Sequence, residues 1–247
     1  MDVVPPVTGT AGERGGHPGE RQGDGLGGRL NALRAGVLGA NDGIVSVAGL
    51  VAGVAGATTD RATIVTAGVA GLVAGALSMA GGEFVSVSTQ RDTERAMLAS
   101  ERAELAEMPE LELEELAGLY RAKGLSTDLA RQVAVELTAH DPLAAHADAE
   151  LGIDPQALTD PWQAAWVSMA AFSGGAQLPL VVVLLLPAGW RIPICFVAVA
   201  LALAITGSVS ARLGTARRGP AVLRNVGVGV LAMVVTYGVG VGVGRMS

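Results

Sequence analysis

Charge, aromatic rings and cysteine are all scarce in this 247-residue chain. Charged residues make up 16% of it, against about 25% in an ordinary soluble domain, so it lacks the polar coat that such a domain carries. Cys195, the single cysteine, stands in an apolar run, which excludes a disulfide framework and a cysteine metal site. Aromatics amount to 3%, and lysine is reduced to Lys123. What is present instead is 50% hydrophobic residues, a mean hydropathy of +0.46 and 35 glycines. That balance implies an integral membrane protein whose helices approach closely through small residues.

The remaining charge is unevenly placed. Residues 89–160 hold 16 acidic and 6 basic residues, a net of −10, whereas the rest of the chain has 7 acids and 11 bases, a net of +4. The only sizeable polar region would be repelled by phosphate, so nucleic acid is not expected as a partner. Residues 1–28 are rich in Gly and Pro and have no apolar core, which predicts a disordered tail with a solvated His17. The tail lacks the apolar core of a secretory signal, so the first helix is expected to direct its own insertion.

Five apolar segments follow, at about 33–57, 62–88, 163–186, 192–213 and 221–244, each near the roughly 20 residues that cross a bilayer. The expected fold is therefore an all-α membrane protein, with five transmembrane helices and a cytoplasmic helical metal-binding bundle inserted between spans two and three. The expected divisions are a tail over 1–28, spans one and two within 29–88, the acidic domain over 89–160, and spans three to five within 161–247. Arg29, Arg34, Arg91, Arg95, Arg212, Arg217, Arg218 and Arg224 fall on one side of such a layout; Arg61, Arg191 and Arg245 fall on the other. Basic residues mark the cytoplasmic side, so the amino terminus and the acidic domain are expected there. The scarcity of lysine points to a GC-rich bacterial source, for which the host membrane would be the plasma membrane. Gly49/Gly53 and Gly71/Gly75 repeat a GxxxG spacing and read as packing faces, and the glycines of the fifth span suggest another crowded interface.

Within the first span stands Asp42, flanked by Asn41 and Gly43. A carboxylate there costs about 2.5–3.5 kcal/mol and ordinarily faces a bundle interior or an ion path. Counting inward from Leu33 and from Ser88 puts Asp42 and Met79 both about 13 Å below the cytoplasmic boundary. Glu83 follows Met79 by four residues, on the same helical face. Asp42, Met79 and Glu83 would then line one translocation path, in which hard oxygens with a soft sulfur favour a transition metal over Mg²⁺ or Ca²⁺.

In the acidic insert, Glu101 and Glu104 are three apart on a helix continuing the second span to about 107, beyond which Pro109 interrupts it. Glu112 and Glu115 are three apart on a second helix (about 110–123), and a third (about 127–140) carries Glu136. A short fourth places His146 and Glu150 at i and i+4, where two side chains can hold one ion. Leu105, Leu111, Leu113, Leu116, Leu119, Val133, Val135 and Leu137 supply a small core for this bundle. Crowded carboxylates raise one another's pKa, and a divalent cation relieves the repulsion. The candidate metal ligands are thus Glu101, Glu104, Glu112, Glu115, His146 and Glu150.

The stretches ANDGIVSVAGLVAGVAGA, ALSMAGGEFVSVSTQRDTERA and LYRAKGLS, within about residues 30–245, resemble the vacuolar iron transporter family. The resemblance implies a homodimer with five spans per subunit and a cytoplasmic metal-binding bundle, exchanging Fe²⁺, and often Mn²⁺, for protons. It assigns the family's transmembrane Asp and Met to Asp42 and Met79, and the bundle's glutamates to Glu101, Glu104, Glu112, Glu115 and Glu150. Where eukaryotic members carry methionines, this chain has His146 and Ala147. The expected activity is export of Fe²⁺ or Mn²⁺ from the cytoplasm, with the ion as cargo and no prosthetic group. The alternatives are a membrane-anchored metal sensor or store without transport, and a di-iron oxidase. The oxidase would need two Glu-x-x-His motifs, and the sequence has none.

Overall fold

The computed structural model describes residues 23–246, and the side chains of its first helix from Gly36 onward. The expected tail as far as residue 22, with His17, and the side chains of Arg29 and Arg34 lie outside the described residues. Among the described residues, five helices are long and apolar enough to cross a membrane: α1 (Gly23–Ala57, apolar from Gly36), α2 (Arg61–Glu107), α6 (Pro161–Leu185), α7 (Ala188–Leu213) and α8 (Arg218–Gly244). Between α2 and α6 come α3 (Pro109–Ala122), α4 (Thr127–His140) and α5 (Pro142–His146), the last continuing as a π-helical turn over Ala147–Leu151. No strand occurs among the described residues. The chain is an all-α, multi-pass membrane protein.

Local chemistry sets the boundaries. Asp60 caps α2 by accepting from the Thr63 backbone N–H (2.8 Å) and hydroxyl (2.6 Å), and Asp160 caps α6 by accepting from Trp162 N–H at 2.9 Å. Pro161, Pro109 and Pro142 occupy first-turn positions that need no N–H donor. α1 begins ten residues before the expected Leu33, so it extends past its apolar stretch. At 47 residues, α2 is about 70 Å long, more than twice the roughly 30 Å hydrocarbon core, so it is far longer than one crossing requires.

α1 is the central helix and packs against α2, α6, α7 and α8. Its faces divide the apolar interior in two. Val47 and Val51 join Ile64, Ala76, Phe172, Leu180 and Val183 of α2 and α6. Ile44, Ala48 and Ala52 join Cys195, Val199, Leu203 and Met233 of α7 and α8. The close approach depends on glycine where backbones cross: a Cβ on Gly43 would overlap the Phe172 carbonyl, and one on Gly240 the Gly53 carbonyl. The fifth-span glycines divide: Gly229, Gly240 and Gly244 meet neighbours, whereas Gly227, Gly238 and Gly242 face open space.

On the side away from the insert, Arg61 donates to the Leu186 carbonyl (3.1 Å) and the buried Arg191 to the Thr59 carbonyl (3.5 Å), joining the α1–α2 and α6–α7 turns. Within the insert, Leu116, Ala117 and Ala134 form a core with Leu113, Leu119, Tyr120, Leu137, Ala145 and Ala149 around it. Four of the eight leucine and valine positions expected in that core lie outside it: Leu105 and Val133 are half-buried, whereas Leu111 is 65% exposed and Val135 47%. Leu111 lies one turn before Glu115 and Val135 one turn after Arg131, so both share the outward face of their helices.

Candidate metal centre

The insert brings the end of α2 together with α3 and α5. Glu101, Glu112 and His146 each offer a ligand atom, all within 4.8 Å of one another, and all three residues are buried. His146 Nδ1 lies 2.9 Å from Glu101 Oε1, 3.6 Å from Glu112 Oε2 and 3.9 Å from Glu150 Oε2. The π-helical turn sets Glu150 beside His146, and Gly152 closes it at φ 64, a conformation that favours glycine.

His146 is wholly buried, yet neither ring nitrogen makes a hydrogen bond, and Glu101 Oε1 is also unpaired despite its 2.9 Å approach to Nδ1. Buried polar atoms ordinarily find partners, and leaving them without one costs about 1–3 kcal/mol each. A cation drawing on the imidazole and the carboxylates would satisfy these atoms together. The remaining glutamates form a rim. Glu104 is half-buried and accepts from Ser100 Oγ at 3.0 Å, while Glu115 and Glu150 are exposed.

The electrostatics agree with this reading. Burial, reinforced by the charges of Glu150, Glu112, Glu104 and Glu115, raises Glu101 to about 7. Burial and Glu115 also raise Glu112, with His146 partly opposing them. An imidazole among carboxylates suits divalent first-row transition metals.

The second site lies in the membrane. Asp42, Ser46 and Leu50 follow one another at four-residue intervals down a third face of α1. They line a cavity of about 260 Å³ together with Gly71, Gly75, Ser78 and Met79 of α2 and Phe172 of α6. The Ser46 hydroxyl donates to Asp42 Oδ1 at 2.9 Å. Met79 and Asp42 therefore share a cavity, and Gly71 and Gly75 line it as well as packing. Glu83 does not line it. It sits one turn nearer the insert, next to Phe84, whose ring meets that of the exposed Trp162 at a tilt of 53° with centroids 4.8 Å apart, and exposed tryptophans are enriched at membrane interfaces.

One polar cluster escaped the sequence reading. Asn225 Nδ2 of α8 donates to Asn41 Oδ1 (2.7 Å), the Leu203 carbonyl (3.0 Å) and Thr206 Oγ1 (3.0 Å). The Thr206 hydroxyl also reaches Asn41 Oδ1 at 3.1 Å. A carboxamide, Asn225, four residues into the apolar segment 221–244 was the available signal.

Comparison with known proteins adds an independent line. The model of the VIT family matches residues 33–241. The chain is 45% identical over 209 residues to a protein of Acanthamoeba castellanii named vacuolar iron transporter, covering 84% of this chain and 77% of the relative. It is 37% identical over 238 residues to vacuolar iron transporter homolog 1 of Oryza sativa subsp. japonica, covering 96% and 84%. It is also 36% identical over 214 residues to vacuolar iron transporter homolog 2 of Arabidopsis thaliana, covering 85% and 83%.

Proposed function

The chain belongs to the VIT family, and on that premise we propose that it carries Fe²⁺, and also Mn²⁺, out of the cytoplasm in exchange for protons. The relatives are named transporters, not enzymes, and the oxidase reading is set aside with them. The observation that carries the proposal is the buried His146, with both nitrogens unpaired among three carboxylates.

In this reading the insert faces the cytoplasm and captures the ion. The rim of Glu104, Glu115 and Glu150 attracts it, and Glu101, Glu112 and His146 hold it. Ligation displaces protons from the carboxylates. Asp42 and Met79 then offer a hard oxygen and a soft sulfur within the bilayer, and Glu83 stands at the mouth of that step. Protons returning to the carboxylates release the ion, which gives exchange. The protein works as a homodimer, and in a bacterial cell its membrane is the plasma membrane. The homodimer follows the family resemblance, the plasma membrane the scarcity of lysine, and the cytoplasmic side of the insert the distribution of arginine.

The test is metal uptake by proteoliposomes containing a pH-sensitive dye. The parent chain should take up Fe²⁺ and Mn²⁺ with a matching proton flux. Asp42→Ala should bind metal through the insert and move none. Undiminished uptake by that variant would remove Asp42 from the path, and metal binding with no uptake by the parent chain would identify a store.

A further inference from the structure

We infer that Asn225 is a positioning residue for transport: through Asn41 it fixes the rotation of α1 that points Asp42 into the cavity. The inference rests on the reading of Asp42 as part of the metal's path.

A helix turns about 100° per residue, so three consecutive side chains point to three different neighbours. Asn41 faces α7 and α8, where it accepts from Asn225 and Thr206. Gly43 faces α6, close enough that a Cβ would overlap the Phe172 carbonyl; reciprocally, a Cβ on Gly175 would overlap the carbonyl of Ala40. Asp42 takes the remaining direction, into the cavity with Ser46 and Met79. The Asn-Asp-Gly triplet thus pins α1 on two sides and leaves its carboxylate on the third.

The two pins differ in kind. Glycine against backbone sets a distance, but such a smooth contact still allows the helix to roll. Hydrogen bonds set a direction. The Leu203 carbonyl can only accept, so the Asn225 nitrogen must face it, and the same nitrogen reaches Asn41 and Thr206. The cluster is part-buried between α1, α7 and α8, so rolling α1 would leave several of its polar groups without their partners. Gly207 makes the arrangement feasible, because a Cβ there would stand 3.2 Å from Val222 Cα and 3.3 Å from Asn225 Cβ.

The experiment uses the purified full chain and measures carbodiimide modification of Asp42 by peptide mass spectrometry, with Mn²⁺ as protectant. In the parent chain Mn²⁺ should protect Asp42. In Asn225→Leu the half-protecting Mn²⁺ concentration should rise about tenfold, and in Thr206→Val, which keeps the Asn225–Asn41 bond, about threefold. The insert's affinity for Mn²⁺ should be unchanged in both. A purely structural role would lower melting temperature and yield but leave the half-protecting concentration of the folded protein where it was. If Asn225→Leu does not fold, Thr206→Val decides alone. Parental half-protection in every variant that folds overturns the inference while leaving the path intact. Failure of Mn²⁺ to protect the parent chain removes Asp42 from the path, and this role with it.

Discussion

The insert and the membrane cavity both gather acidic groups, but they treat them in opposite ways. In the insert, carboxylates crowd around a buried imidazole and repel one another, and Glu101 is held near neutrality. In the cavity, a single carboxylate is already paired with a serine and shares its space with a thioether. On the proposed function, the contrast gives one chain a place to capture an ion and a place to release it. Crowded, unpaired ligands bind strongly because the cation relieves them. A solitary, satisfied carboxylate binds more weakly and can let go.

The sharpest way to break this comparison is to neutralise the membrane site alone. Asp42→Asn should lower metal uptake by proteoliposomes at least about 100-fold, because losing outer-shell support alone already costs a metal site up to about that much. Its insert should bind metal with parental affinity in calorimetry. Equal losses in both assays would mean that the two regions are not separate sites. Next in size is His146→Gln, which keeps a polar side chain but removes the imidazole. It should weaken metal binding by the insert by about tenfold to 100-fold, measured by competition with a chelating dye.

A pH titration sharpens the contrast further. A carboxylate raised to about 7 in the folded chain, from 4.5 when unfolded, binds more protons folded than unfolded between those values. The metal-free protein should therefore gain thermal stability as pH falls from about 7 towards 4.5, and show the full penalty above 7. Glu112 acts in the same direction. Protons compete with metal over this range, so the metal-induced rise in melting temperature should shrink as pH falls. Glu101→Gln should flatten both trends. The smallest effect expected is that of Met79→Leu. A volume-conserving swap costs less than about 1.5 kcal/mol of stability, and losing the sulfur should reduce the preference for Fe²⁺ over Mn²⁺ only a few-fold in competition uptake.

Much of this was legible in the sequence because it depends on local pattern. The insert helices lie within a residue of their expected limits, since Pro109, Ser126 and Pro142 are start signals that act within one turn. Glu101, Glu112 and His146 were identifiable by residue type and spacing, although which glutamates would be buried was not. Their separation into an inner set and a rim depends on how α2, α3 and α5 cross. Leu111 and Val135 were misjudged because an apolar residue on a short helix has no marked face until its partners are known. Glu83 shares a helical face with Met79, as expected, but the cavity ends a turn short of it. The Asn41–Thr206–Asn225 cluster joins residues 165 and 184 positions apart, a separation that no local pattern encodes.

The uninterrupted length of α2 has a mechanical consequence. From Met79 to Glu101 is 22 residues of continuous helix, a rod of about 33 Å, without proline or a break. A rod transmits tilt. Turning it by 10° about its contact with α6 carries the outer end sideways by about 6 Å, more than the entire spread of the ligand atoms around His146. The carboxylate cluster of the insert and the membrane cavity thus sit at two ends of one continuous rod, so tilting that rod would move both.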